Sequence, residues 1–430
     1  MEEPFGGLYL HIPFCVQRCS YCDFSTSAVP QDSPRIDEYL EKLVSSIDMA
    51  GKGGLLRGLR TIYIGGGTPS YLGPKRLEVL LEAVGRNVDL DRIEEFTMEA
   101  NPDSFSMEMA RMAAQLGVDR FSIGVQSLDS MVLGILGRAH KSRTALDALD
   151  MALSNSDNVS ADLICGVMGD HKAAMLGSLV YVKRFGVQHV SVYPLTIEEG
   201  TPLQRKISEG KLLDVDQDEQ ADEMESVRNS LVGDGYEHYE VSSYALPGFH
   251  SKHNLGYWTG VPYLGLGNGA ASMFHACDEG EVRDSGALQS WGWVPDAGDA
   301  RAEAGDAAPA TGGERSGGPG ECVRVRVATG PSSSYSPQAG AFSEERLDVG
   351  QTAAEDLMLA MRTMWGVSEE RYREFVAANP ALADAEREAC GKGLACWQDG
   401  SFVPTQRGWL LGNELYGAIW AKSGYSDQPF

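Results

Sequence analysis

HIPFCVQRCSYCDFS, residues 11–25, carries three cysteines, Cys15, Cys19 and Cys22, within eight positions. The spacing CxxxCxxC differs from the paired CxxC knuckles of a four-cysteine zinc site. A compact loop of this kind can ligate three irons of a cubane [4Fe–4S] cluster, which normally takes four cysteines. The fourth iron then keeps an exchangeable position, which S-adenosylmethionine (SAM) can fill through its amino and carboxylate groups. The other five cysteines, Cys165, Cys277, Cys322, Cys390 and Cys396, are scattered and read as small buried hydrophobes. Clustering in a chain without a secretory signature points to metal chemistry rather than disulfides.

The loop follows a short apolar run, LYLHI from Leu8, and the pattern repeats downstream. TIYIGGG from Thr61, EFTMEAN from Glu95, RFSIGVQS from Arg120, SADLICG from Ser160 and HVSVYPL from His189 are each short and β-rich. Between them lie segments of helical periodicity such as IDEYLEKLVSSIDMA and RTALDALDMAL. Six strand-plus-helix units predict an α/β fold with a parallel sheet, either open and doubly wound or an incomplete (β/α) barrel. The unusual residues fall at strand ends, the edge where both architectures bind ligands. GGGTP (65–69) brings backbone groups close to a ligand because glycine has no Cβ. No GK[ST] follows, so the sequence lacks the signature of a phosphate loop. Glu99, Gln126, Arg138 and Asp162 sit at or just beyond later strand ends, where carboxylates and amides suit an ammonium and ribose hydroxyls and Arg138 suits a carboxylate. Tyr21, just before the last clustered cysteine, is placed to pack on a cluster or an adenine.

The 430 residues allow two or three domains. Residues 1–200 read as the α/β unit and 201–276 as a segment completing it and binding substrate or heme. Residues 277–341, rich in Gly, Ser, Ala, Pro and Asp, read as a flexible insertion that buries too little surface to offset chain entropy. Residues 342–430 read as a small helical, winged-helix-like module, with CWQDGSFVPTQRGWLLGNELYGAIW as a strand pair followed by a helix. A net charge of −25 repels phosphate backbones and argues against nucleic acid as a partner despite the wing. No apolar run approaches the roughly 20 residues that span a bilayer, and MEEPFGGLYLHIPF lacks a signal peptide's basic start, so a cytoplasmic location is expected.

LYLHIPFCVQRCSYCDF, IYIGGGTPS, EANPD, FSIGVQS, LGRAH, ADLICG, SVYPLTIEEGTPL, YEVSSYA, HNLGYW and YLGLGNGAAS, in this order from Leu8 to about Met273, resemble the radical-SAM family of oxygen-independent coproporphyrinogen III oxidases and their relatives, the HemW-type heme chaperones. The C-terminal module from about Asp348 resembles the family's end domain. The resemblance implies a partial (β/α)6 barrel with Cys15, Cys19 and Cys22 as ligands of a [4Fe–4S] cluster. It also implies SAM contacts from Tyr9, Tyr21, Gly66, Gly67, Thr68, Glu99, Gln126, Arg138 and Asp162.

Two departures separate the branches. The oxidases carry a further cysteine two residues beyond the third, where this chain has Phe24, and a longer extension before the cluster loop, where this chain has fourteen residues before Cys15. Both favour the chaperone branch, as does HNLGYW, which makes His253 the candidate heme ligand, with Tyr257 and Trp258 to pack on the porphyrin. GVMGDH (166–171) stands where the family usually has GLPGQT. Three functions are therefore expected in order: a heme-binding chaperone delivering heme to a membrane-associated acceptor; an oxidase converting propionates of a porphyrinogen to vinyl groups; and a structural metal-cluster protein without SAM chemistry. The first two imply a reductant protein as a partner, and the chain is expected to be a monomer or a homodimer.

Overall fold

The computed structural model describes residues 3–169, 171–293, 314–317, 322–329 and 342–424. Six parallel strands form its centre: β1 (Gly7–Ile12), β2 (Thr61–Gly66), β3 (Glu95–Ala100), β4 (Arg120–Gln126), β5 (Asn158–Cys165) and β6 (His189–Pro194). They lie side by side in chain order, each parallel to the next. Each is buried nearly throughout, as expected when helices cover a parallel sheet. The helix Pro34–Lys52 shows how the cover forms. Proline at its first turn fixes the entry, and Ile36, Tyr39, Leu40, Leu43, Ile47 and Ala50 recur on one face and are buried. Six parallel strands in chain order with helices outside them make a partial (β/α) barrel.

The sheet continues past the six strands on both sides. Next to β1 runs Tyr263–Leu266, parallel, and then Ala271–His275, antiparallel. Next to β6 runs Ser243–Ala245, with Glu237–Glu240 beyond it. The expected insertion carries regular structure at more than one place. Glu279–Ser285 is a helix followed by a turn that buries Trp291 and Trp293, and Cys322–Thr329 is a strand paired to Ala271–His275 and to Phe342–Asp348. The reason is in VRVRV itself: Val325 and Val327 alternate inward and join the barrel core, while the indole of Trp293 donates to Glu344 at 2.7 Å. The main sheet therefore extends to Asp348, beyond the expected boundary at 342. The rest of the expected insertion lies outside the described residues, apart from an edge strand at Glu314–Gly317.

From Val349 onward, helices and a three-stranded antiparallel sheet pack around a second core that includes Leu357, Met361, Phe402 and Ile419. The module is anchored under the barrel. Val241 N–H donates to the Arg362 carbonyl at 3.1 Å, Met364 N–H donates to the Tyr239 carbonyl at 2.9 Å, and Arg324 meets Glu355 at 2.6 Å with both side chains buried. The scattered cysteines do not all behave as core residues: Cys165 is buried, but Cys277 and Cys390 are exposed. Among the described residues no helix is long and apolar enough to cross a membrane.

Candidate metal-cluster and cofactor site

The carboxyl ends of the strands open into a cavity of about 430 Å³. Its wall takes Cys15, Cys19 and Cys22 from the loop after β1, and Gly66, Gly67 and Thr68 from the end of β2. Glu99, Gln126 and Asp162 come from β3, β4 and β5, and Arg138 and Tyr21 complete it. The cysteine loop is pinned from both sides. Ser20 N–H donates to the Leu136 carbonyl at 2.9 Å, and Leu203 N–H donates to the Ser20 carbonyl at 2.7 Å. Thr68 Oγ1 donates to Cys15 Sγ at 3.4 Å and Arg138 Nη1 donates to Cys19 Sγ at 3.5 Å. Burial pushes the Cys15 thiol up to about 11 and raises that of Cys22, so loading a metal must expel protons from this loop.

The part of the wall supplied by the strands is acidic and polar. Glu99 accepts from Tyr63 Oη at 2.7 Å and from Gly66 N–H at 3.1 Å. Burial raises its carboxyl to about 7; the nearby Asp162 adds to the shift and the two hydrogen bonds oppose it. Burial also raises Asp162, although Ser122 Oγ donates to it at 2.8 Å and Ser160 Oγ at 3.2 Å. The β2 glycines are required by space: a Cβ on Gly67 would stand 3.0 Å from Cys15 Sγ, and Gly66 has φ +111°. Gln126 holds φ 62° where the β4–β5 register shifts, a left-handed backbone that costs a side-chain-bearing residue about 1 kcal/mol or more.

A Radical SAM superfamily model matches residues 9–177. The chain is 38% identical over 272 residues to the heme chaperone HemW of Lactococcus lactis subsp. lactis, covering 63% of this chain and 70% of that protein. This chain belongs to the HemW branch of the radical SAM superfamily. The similarity to HemW of Bacillus subtilis extends through both modules, at 29% identity over 420 residues, 96% of this chain and 98% of that protein. Among solved structures, the coproporphyrinogen III oxidase HemN of Escherichia coli shares the fold, with a TM-score of 0.73 at 18% identity over 97% of this chain and 90% of that one.

The HemW family implies a [4Fe–4S] cluster and SAM, and the donor set fits both. Among the described residues no three His, Cys, Asp or Glu side chains converge on one point as ligands of a single ion do. A cubane instead spreads its thiolates over separate irons, which suits three cysteines arranged along one wall. Glu99 and Asp162 line the same cavity, and Gly67 leaves Cys15 Sγ uncovered.

Two of the expected site residues are placed elsewhere. Tyr9 is not on the cavity wall; its hydroxyl pairs with His11 Nδ1 at 3.0 Å and its ring centroid is 6.1 Å from that of Tyr63. It shares the sheet face of Tyr63, opposite it in the parallel register, but its hydroxyl is turned to His11 of its own strand. His253, the expected heme ligand, lies at the opposite end of the barrel. It is 2% exposed, with Nδ1 held at 2.9 Å by Thr61 Oγ1 at the start of β2 and Nε2 at 2.9 Å by Tyr257 Oη. Both ring nitrogens are occupied, and burial lowers its pKa to about 3. The helix Lys252–Trp258 that carries it is capped by buried Glu95, which accepts from Lys252 N–H at 2.8 Å and His253 N–H at 3.1 Å. The HNLGYW motif is therefore a clasp at the barrel floor, and Arg362 of the C-terminal module lies 5.2 Å from the Trp258 ring.

The structure also adds residues that the sequence reading missed. Tyr63 positions Glu99, and Asn101 joins Thr68 to Arg138. Tyr63 lies inside the strand run IYI, and Asn101 ends the run EFTMEAN and belongs to EANPD; neither was singled out.

Proposed function

We propose that this chain is a heme-binding chaperone that uses a cluster-and-SAM site and passes heme to an acceptor protein, reduced by a partner protein. The observation that supports this best is the likeness over both modules to a protein named heme chaperone HemW. Cys15, Cys19 and Cys22 would hold the cluster. Glu99, Asp162, Gln126, Arg138 and the Gly66–Thr68 backbone would hold SAM, with acids toward its ammonium and ribose and Arg138 toward its carboxylate. When bound, the pair supplies one-electron reductive chemistry. The chain's own contribution is to orient the groups, to keep Glu99 and Asp162 in a desolvated wall and to limit water.

The heme face is proposed at the cavity mouth. Phe24 is 64% exposed and Val16 49% exposed beside the cysteine loop, and both line the cavity with Tyr193 and Leu195. Exposed apolar side chains grouped at a cofactor mouth suit a flat macrocycle. The oxidase reading is less favoured because Phe24 occupies the position of the oxidases' further cysteine. The test is anaerobic reconstitution with iron and sulfide, heme titration followed in the optical spectrum, and an assay for coproporphyrinogen III decarboxylation. A Soret band saturating near one heme per chain, weakened by Phe24→Asp and without turnover, supports the chaperone. Turnover of the porphyrinogen without heme binding overturns it.

A further inference from the structure

Asn101 lies just past the end of β3, between two groups that touch cluster-loop sulfurs. Its Nδ2 donates to Thr68 Oγ1 at 2.8 Å, and its Oδ1 accepts from Arg138 Nη2 at 2.6 Å. Thr68 Oγ1 in turn donates to Cys15 Sγ, and Arg138 Nη1 donates to Cys19 Sγ. The amide thus sits at the centre of a continuous path from one sulfur to another. Its backbone is pinned, because Asn101 N–H donates to Ser70 Oγ at 3.1 Å and Ser104 N–H donates to the Asn101 carbonyl at 3.1 Å. Arg138 is pinned as well, with Nη2 also donating to the Gly124 carbonyl at 3.1 Å.

The direction of this path follows from donor and acceptor counting. A guanidinium has donors only, so the amide oxygen must face Arg138 and the NH₂ must face Thr68. Thr68 Oγ1 then receives a hydrogen bond, and its own single proton is left for Cys15. A serine, leucine or aspartate at 101 would not impose that order. A carboxylate would take the Thr68 proton for itself and leave the sulfur without its donor.

We propose that Asn101 is a positioning residue that fixes the polarity of the hydrogen bonds to two cluster ligands and thereby sets the cluster's reduction potential. Hydrogen bonds to ligating sulfur stabilise the more negative, reduced cluster and raise its potential. The proposal rests on the reading of Cys15, Cys19 and Cys22 as cluster ligands.

The experiment compares the unaltered full-length chain with Asn101→Asp, Thr68→Val and the double variant. Each is reconstituted anaerobically, checked for iron and sulfide content and for its melting curve, and titrated electrochemically by EPR without SAM. Asn101→Asp and Thr68→Val are each expected to move the midpoint to more negative values. The shift from Asn101→Asp should be smaller in the Thr68→Val background, because the share carried through the hydroxyl is already gone. An equal shift in both backgrounds would make the effect one of added charge alone and overturn the relay. The neutral variant Asn101→Leu gives the same comparison should the aspartate impair folding: a negative shift in the Thr68 background that shrinks in the Thr68→Val background supports the relay, and no shift, or an equal shift in both, overturns it. An unaltered chain that assembles no four-iron cluster would instead remove the cysteine reading, and the relay with it.

Discussion

The two ends of the barrel use the same residue types for opposite purposes. At the mouth, Glu99 and Asp162 face a cavity, Gln126 is held in a left-handed backbone, and glycines keep Cys15 approachable. At the floor, Glu95, His189, Tyr239 and His253 are also buried and polar, but they satisfy one another. His189 Nδ1 pairs with Ser160 Oγ at 2.8 Å and its Nε2 with Tyr239 Oη at 2.8 Å, while Glu95 caps the His253 helix. A buried polar group whose partners are all protein groups contributes to structure; one that faces an open cavity remains available to a ligand. The lesson is that a histidine's role depends on what occupies its nitrogens, not on the motif that carries it.

The largest effect should come from the mouth. Replacing Cys19 by Ala is expected to abolish four-iron loading, read as iron and sulfide content, while moving the urea midpoint of the metal-free chain little. Loss of folding together with loss of iron would mean that the cysteine loop is structural after all. At the floor the order reverses. His253→Ala leaves Thr61 and Tyr257 without their partner and opens a hole, so a loss of about 2–4 kcal/mol is expected in urea unfolding, with iron content retained. Unchanged stability would break the contrast between the ends.

A smaller effect separates the ends by pH. A carboxyl raised from 4.5 to about 7 stays protonated in the native chain while the unfolded chain has already ionised. Unfolding then releases a proton, so the Glu99 contribution favours folding below about pH 4.5 and is lost as pH rises through about 7. Glu99→Gln should gain stability relative to the unaltered metal-free chain over that window, measured as the difference between their urea midpoints from pH 5 to 8. A constant difference would show that Glu99 does not titrate there. The smallest effect is expected from Gln126→Gly, which relieves the positive φ and should stabilise the metal-free chain by up to about 1 kcal/mol. Destabilisation would show that the amide's contacts outweigh its backbone cost.

The mouth was largely legible in the sequence because strand periodicity locates strand ends, and the cysteines, GGG, Glu99 and Gln126 are unusual residues at or near those ends; Asp162, expected at a strand end, instead lines the cavity from the middle of β5. The six parallel strands were legible for the same reason. Tyr9 and His253 were expected at the site from the resemblance alone, which does not show what occupies a side chain's polar atoms in this chain. His253 is closed off by Thr61, 192 positions away in the chain. Asn101 was overlooked because its role lies in two partners from different loops. The strand Cys322–Thr329 was hidden by composition: its VRVRV alternation was present, but Gly, Ser and Pro on both sides made the whole region read as unstructured.

The most direct test of this contrast is heme titration of cluster-loaded His253→Gln beside the unaltered chain, with folding verified by urea unfolding of each. The account predicts a Soret band of the same position and stoichiometry in both, because heme is proposed at the mouth and His253 closes the floor. A folded, cluster-loaded His253→Gln chain that has lost the band would contradict it and return the heme iron to the barrel floor.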